Sequence, residues 1–182
     1  WTATDACGNI ETASQTISVI DNVKPYFTFV PESATIVCPL TPEFGTPAAA
    51  DLCGAVTVTY EDVRTAGSCA NEYSITRTWT ATDACGNIET ASQTISVIDN
   101  VKPYFTFVPE SATIVCPLTP EFGTPAASDA CGTVTLAYED VRTAGSCANE
   151  YSITRTWTAT DACGNIETAS QTISVIDNVK PY

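Results

Sequence analysis

The chain has 182 residues, 44% of them hydrophobic, and its 21 acidic and seven basic residues give a formal net charge of -14. This acidity argues against a nucleic-acid partner, because binding to phosphates needs clustered lysine and arginine. The sequence has no histidine and no glycine-rich phosphate loop, so it offers neither a catalytic triad nor a nucleotide site, and we expect no enzyme activity.

One segment, WTATDACGN, occurs three times without change, beginning at Trp1, Trp79 and Trp157. The spacing between these tryptophans is the period of the whole chain. Residues 27–104 and 105–182 are two copies that differ at only five positions, which are Ala50/Ser128, Leu52/Ala130, Ala55/Thr133, Val58/Leu136 and Thr59/Ala137. Such repetition is typical of an array of small domains, and we expect the chain to be a piece of a longer array.

The predicted domain boundaries follow this period. Residues 1–22 are the C-terminal strands of a truncated repeat, 23–100 and 101–178 are complete repeats, and 179–182 begin the next one. The segment DNVKP, first found at 21–25, joins one repeat to the next. Proline restricts its own backbone and that of the residue before it, so this short linker should be stiff and the array extended.

Within a repeat, the sequence predicts β-strands and no helix. Apolar and threonine residues alternate with a period of two, and the segments are separated by Pro, Gly, Asn and Asp. The predicted strands are FTFV (27–30), ATIVC (34–38), VTVTY (56–60), YSITRTWTATD (73–83) and TASQTISVI (90–98). We therefore predict an all-β fold, with tandem immunoglobulin-like antiparallel β-sandwiches.

Two residues of the predicted strand 73–83 leave alternatives open. Arg77 falls on the apolar face, where a bulge or an ion pair with Glu61 or Asp62 would accommodate it. Trp79 alternates with Ile75 and Ala81, which favours a place in the core, although an exposed tryptophan could also stack on a sugar ring.

These motifs resemble a known family. The run TRTWTATDACGN, the threonine- and serine-rich strand after it, the D-x-x-x-P junction and the earlier D-x-C-G turn are similar to HYR-like (hyalin-repeat-like) immunoglobulin-type domains. Such domains occur in tandem in very large surface adhesins of gliding flavobacteria. The resemblance implies a stalk in a cell-surface filament that acts in adhesion and gliding motility. It also implies partners outside the array, namely the secretion and motility machinery and an extracellular surface or polysaccharide.

Cysteine usage agrees with an extracellular location. Nine cysteines without any methionine or histidine are typical of an oxidising compartment, and a domain of this size needs covalent support. Four cysteines in a repeat allow three pairings. Because loops at the same end of a sandwich lie together, we predict the pairs Cys38–Cys69, Cys53–Cys85, Cys116–Cys147 and Cys131–Cys163, with Cys7 bonded to a preceding repeat.

A calcium site is the one cofactor that the sequence suggests. Asp51 and Asp83 lie in D-x-C-G turns, whereas Asp99 and Asn100 lie at the junction, and Ca²⁺ prefers such oxygen ligands. The alternative is that each aspartate bonds its own backbone in a turn. Two other functions stay open beside the stalk: a carbohydrate- or ligand-binding module, and a self-assembling surface fibre.

Overall fold

A computed structural model describes residues 1–180 of the chain. All regular structure in this range is β, as predicted, and each complete repeat contains six strands. The strands are β1 (Thr2–Thr4), β2 (Ile10–Thr12), β3 (Tyr26–Phe29), β4 (Ala34–Val37), β5 (Ala48–Ala50), β6 (Val56–Ala66), β7 (Tyr73–Asp83), β8 (Ile88–Ile98), β9 (Tyr104–Phe107), β10 (Ala112–Val115), β11 (Ala126–Ser128), β12 (Val134–Ala144), β13 (Tyr151–Asp161) and β14 (Ile166–Ile176).

Each repeat is a small sandwich of two sheets. The larger sheet has the order β4-β8-β7-β6, and the second layer is the pair β3-β5. Strands β6 and β7 form a long antiparallel hairpin, whereas β4 runs parallel to β8. The second repeat has the same order, β10-β14-β13-β12 with β11-β9. The prediction of an immunoglobulin-like all-β fold is confirmed. The sandwich is not purely antiparallel as predicted, because one strand pair of each repeat is parallel.

The core lies between the two layers of each repeat. Trp79 and Ala81 of β7 face it together with Ile95 and Val97 of β8, and each is at most 3% exposed. These positions are two residues apart because side chains of a strand point alternately to its two faces. Gln93 is also buried, and its amide donates to the Glu32 carbonyl at 2.7 Å and accepts from the Gly45 amide.

Strand β6 departs from the predicted burial. Alternation in the predicted strand VTVTY places Val58 and Tyr60 on the inner face, yet they are 37% and 62% exposed. They do lie on the same face as Trp79, since Tyr60 is directly opposite it. The physical reason is position: β6 is the edge of its sheet, where the short second layer does not cover it.

Arg77 occupies this half-covered face as an ion pair. Its guanidinium donates two hydrogen bonds of 2.7 Å to the Asp62 carboxylate on β6, and it stacks on the rings of Tyr60 and Phe44 at 3.9 and 4.3 Å. Of the two candidate acids, the structure selects Asp62, which lies directly opposite Arg77 in the sheet. The charge of Arg77 on the apolar face is thus paired with Asp62, and β7 needs no bulge to accommodate it.

Residues 1–26 show what the rest of the sandwich contributes. They are identical to 79–104, yet before Tyr26, where β3 begins, they form only the hairpin β1–β2, and Trp1 is 76% exposed whereas Trp79 is 3% exposed. Residues 181 and 182, the last of the predicted next repeat 179–182, lie outside the described residues. Within residues 1–180, no helix is long and apolar enough to cross a membrane.

Candidate functional site: the junction between repeats

The repeated D-x-C-G-N segment forms a closed turn between β7 and β8. One carboxylate oxygen of Asp83 accepts hydrogen bonds from the backbone amides of Cys85 and Asn87, both at 2.9 Å. The other oxygen accepts from the Asn87 side chain at 2.8 Å. Gly86 adopts φ +88°, a left-handed conformation that glycine takes without strain. The aspartate therefore stabilises its own turn, as the metal-free alternative predicted.

These hydrogen bonds favour the ionised form of the Asp83 carboxylate. The hydrogen bond from the Asn87 side chain lowers the pKa of Asp83, and the backbone amides of the turn lower it further against the opposing effect of burial. The turn aspartate of the truncated repeat, Asp5, has a lowered pKa for the same reason, with Asn9 as its main partner. The carboxylates of these turns are thus ionised at neutral pH.

The turn also contacts the neighbouring repeat. The side chain of Asn165, the equivalent of Asn87 in the second repeat, donates to the Asp99 carbonyl at 3.1 Å, and Asn87 makes the corresponding contact with the Asp21 carbonyl at 3.4 Å. Asp99 and Asp21 are the first residues of DNVKP linkers. The linker prolines Pro25 and Pro103 are fully buried. The linker is therefore part of a packed junction.

Two disulfides cross this junction. Cys38 is bonded to Cys131 with their Cα atoms 5.7 Å apart, and Cys69 is bonded to Cys163 with their Cα atoms 5.1 Å apart. Each bond joins the first complete repeat to the second. Cys38 follows β4, and Cys69 lies in the loop between β6 and β7.

This pairing corrects the predicted one. Cys38–Cys69, Cys53–Cys85, Cys116–Cys147 and Cys131–Cys163 are not the bonds in the structure. One part of the prediction agrees with the structure: Cys38 and Cys69 do lie at the same end of their repeat, the end next to the linker. The prediction is wrong because it pairs two cysteines at the same end of one repeat. That end faces the end of the next repeat that carries Cys131 and Cys163, and the bonds form between the two repeats.

Five cysteines carry no bond among the described residues: Cys7, Cys53, Cys85, Cys116 and Cys147. Two of them are influenced by linker aspartates. The pKa of Cys53, an exposed residue, is raised first by partial desolvation of its thiol and then by the charge of Asp21 and a hydrogen bond with it. A hydrogen bond with Asp177 and burial raise the pKa of Cys116. Both thiols are therefore protonated at neutral pH, which slows their reaction as nucleophiles.

Three aspartates converge beside the Cys38–Cys131 bond. Asp99 of the linker meets Asp129 and Asp161 of the second repeat, with carboxylate oxygens within 4.8 Å of one another. One oxygen of Asp129 accepts from the Cys131 amide, while its other oxygen is buried without a hydrogen-bond partner among the described residues. These are the residues that could hold a cation at the junction.

The predicted calcium ligands are brought together differently from expectation. Asp51 and Asp83 lie at the opposite end of their repeat from Asp99, separated by the length of an eleven-residue strand, roughly 33 Å. Asp51 instead meets Asp21. Asn100 is exposed. Aspartates of the turns and linker do come together, as a calcium site would need. The cluster at the junction, however, combines the linker with the second repeat, and the sequence of a single repeat does not reveal that contact.

Comparison with protein families decides what these repeats are. The model of the HYR-like domain with four cysteines matches residues 28–97 and matches again at 107–175. The chain belongs to this family. HYR-like domains are extracellular modules of the adhesion type. Among curated proteins, none matches the chain.

Solved structures that the HYR-like chain is similar to include cadherin fragments. Drosophila N-cadherin EC1-4 is 14% identical over 85% of this chain and 50% of that one, with a TM-score of 0.38. Human mucin-like protocadherin EC1-2 is 9% identical over 84% of this chain and 98% of that one, with a TM-score of 0.34. Mouse cadherin-23 EC22-24 is 12% identical over 84% and 67%, with a TM-score of 0.36. The chain spans about half the length of the N-cadherin fragment.

Burial of the tryptophans bears on the sugar-binding alternative. Trp79 and Trp157 are each 3% exposed and lie between the two layers of their sandwiches. A stacking platform must present its ring to the solvent, so neither side chain can serve as one. The prediction that Trp79 is a core residue is confirmed.

Proposed function

We propose that these HYR-like repeats form the stalk of a long cell-surface adhesin that resembles the flavobacterial gliding-motility adhesin SprB. The junction is the observation that carries this proposal. Two disulfides, a buried proline and hydrogen bonds to the linker hold adjacent repeats in one arrangement. A fixed junction repeated along an array makes a semi-rigid rod, which is what a stalk requires.

Near-identity of the copies supports the same function. Two repeats that differ at five positions present the same surface twice, so no unique ligand site distinguishes one from the other. Function then comes from length, stiffness and the sum of many weak contacts. In this proposal the adhesin is exported to the cell surface, is anchored at the outer membrane and coupled to the motility machinery, and meets its substratum or polysaccharide through other parts of the protein.

One observation favours a second candidate, a self-assembling surface fibre. Strand β6 is an eleven-residue sheet edge, and Tyr60 and Val63 on it are 62% and 56% exposed. Exposed edges can pair with another chain. Charged residues on the same strand, Glu61, Asp62 and Arg64, oppose such pairing, which is why the monomeric stalk is preferred.

The stalk proposal is tested by changing the number of repeats in the intact adhesin. Removing whole internal repeats should leave secretion unchanged and reduce attachment gradually, because the filament loses reach while each remaining junction is preserved. Abolition of attachment by deletion of one internal repeat would contradict the proposal.

Light scattering of the purified chain tests the fibre candidate. A self-assembling fibre requires the chain to grow into polymers, whereas the stalk requires it to stay a monomer.

A further inference from the structure

We propose that disulfides join every pair of consecutive repeats, two at each junction, and that this ladder limits how far the array can extend under load. The bonds observed between the two complete repeats define the rule. The cysteine after β4 pairs with the one in the first D-x-C-G turn of the next repeat, at a sequence separation of 93. The cysteine of the β6–β7 loop pairs with the one in the second D-x-C-G turn of the next repeat, at a separation of 94.

The same rule accounts for every unbonded cysteine. Cys116 and Cys147 are the equivalents of Cys38 and Cys69 one repeat later, so their partners belong to a following repeat. Cys53, Cys85 and Cys7 are equivalents of Cys131 and Cys163, so their partners belong to a preceding repeat. In any chain that continues the repeat, all four cysteines of each internal copy are therefore bonded to neighbouring copies.

The chemistry of the ladder is ordinary thiol oxidation. Each new bond joins two thiol sulfurs and releases two protons and two electrons. The electrons are accepted by an external disulfide, such as oxidised glutathione, which is reduced to two thiols. No residue of the chain supplies the oxidant.

The ladder changes how a pulling force passes through the array. A load that enters a repeat through Cys53 leaves it again through Cys38, which is close to it in the chain. With the 5.7 Å between the Cα atoms of one bridge, a repeat can lengthen to about 60 Å at most. Without bridges, a whole repeat could unravel to about 280 Å. The bridged stalk would therefore lengthen less than about twofold even if its β-sheets opened, whereas an unbridged repeat would lengthen roughly eightfold.

The chain itself distinguishes the possible pairings when it is stretched from end to end. With the observed bonds, the shortest covalent path runs through residues 1–69 and 163–182 and reaches about 310 Å when extended. Pairing within repeats would leave a path through residues 1–53, 85–131 and 163–182, or about 420 Å. The fully reduced chain extends to about 650 Å.

Single-molecule force spectroscopy of the chain held at both ends tests the inference. We expect a final length of about 310 Å for the oxidised chain and about 650 Å after reduction with dithiothreitol. The double variant Cys38→Ser/Cys69→Ser should reach the longer value without reductant. Its matched control, Cys116→Ser/Cys147→Ser, changes the equivalent cysteines one repeat later and should keep the shorter value. A final length of about 420 Å for the oxidised chain would overturn the proposal.

A thiol count tests the continuation of the ladder. The purified chain should contain five alkylatable thiols before reduction, and a longer chain with one more copy of residues 105–182 appended should still contain five. The two new bridges would join Cys116 and Cys147 to two of the four added cysteines, and the other two added cysteines would stay free in their place. Pairing within repeats predicts one thiol in both chains, and that result would overturn the ladder. Neither measurement involves adhesion. Failure of the ladder would remove the bridges from the stalk proposal and leave it the buried linker proline and the hydrogen bonds, whereas failure of the repeat-deletion test would overturn the stalk and leave the ladder standing.

Discussion

At the scale of single residues, the Arg77–Asp62 pair shows how a charged side chain is accommodated on an apolar face. The paired hydrogen bonds give the guanidinium its full planar contact with the carboxylate, and the rings of Tyr60 and Phe44 cover its faces. Hydrogen bonding to Arg77 lowers the pKa of Asp62. The identical pair Arg155–Asp140 occurs in the second repeat, so this arrangement belongs to the repeat itself.

The pH dependence of stability checks this pair. Because the folded-state pKa of Asp62 is below its ordinary value, the stabilisation is present above the ordinary carboxyl pKa and is lost as the pH falls through the lower, folded-state value. We expect Asp62→Asn to be less stable than the parent chain at pH 7 in urea denaturation, with the difference shrinking in acid. Glu61→Gln, next to it on the strand, is the control. Equal losses in the two variants would show that the ion pair is not responsible.

The aspartate cluster at the junction shares only Asp99 with the predicted calcium ligands Asp51, Asp83, Asp99 and Asn100, and calcium binding stays a prediction. Three carboxylates within 4.8 Å repel one another, and a bound cation would relieve the repulsion. We expect millimolar CaCl₂ to raise the melting temperature of the oxidised chain. Asp129→Asn should remove the increase, because it takes one carboxylate out of the cluster. Asp177→Asn, at the equivalent of Asp99 one repeat later, should keep it. The same melting temperature with CaCl₂ and with EDTA would count against a calcium site.

At the scale of secondary-structure elements, the loop between β6 and β7 is the part of each repeat that reaches the next one. It carries Cys69 and Asn71, and the Asn71 side chain lies so close to Gly132 that a Cβ atom there would be 2.4 Å from its nitrogen. The Asn71 amide also donates to the Asp99 carboxylate. A side chain at this glycine would therefore have to displace the Asn71 side chain of the preceding repeat.

Enlarging this glycine tests the contact. We expect Gly132→Leu to slow formation of the Cys38–Cys131 bridge during oxidative refolding, because the loop cannot approach the turn. Gly54→Leu makes the same change at the equivalent position of the first repeat, where the Cβ would meet nothing within 4 Å, and should leave the bridge unaffected. Non-reduced peptide mapping at intervals measures the bridge. Equal rates in both variants would show that the Asn71 side chain simply moves aside.

At the scale of the whole molecule, end-to-end stacking of the repeats predicts an elongated particle. A compact protein of this length has a radius of gyration of roughly 16 Å. Two sandwiches placed end to end, each built on strands roughly 33 Å long, must exceed that value clearly. Small-angle X-ray scattering of the oxidised chain measures this directly. A radius of gyration of about 16 Å would indicate that the repeats fold back on each other.

Much of the fold follows from sequence periodicity. The predicted bounds of strand β7 agree with the observed ones. Its eleven residues alternate between apolar and polar, and this long alternation indicates both the strand and the face that is buried. Strand β5, the run Ala48–Ala50, was not predicted, because three alanines carry no alternation and form a strand only by pairing with β3. Strand β6 continues to Ala66, beyond the predicted end at Tyr60, because β7 provides a hydrogen-bonding partner along its whole length.

The sequence by itself determined the all-β repeat and its period and placed Trp79 on the apolar face of its strand, because these follow from self-similarity and from alternation along the chain. It left two alternatives for the turn aspartates, a bond to their own backbone or a calcium site. Only the tertiary structure decided which cysteines are bonded and which aspartates meet. The two bridges join residues that lie 93 and 94 positions apart, and they depend on which end of one sandwich faces the next. The identical segments 1–26 and 79–104 show the same limit: Trp1 is exposed and Trp79 is buried, because burial requires the sheets that surround a side chain.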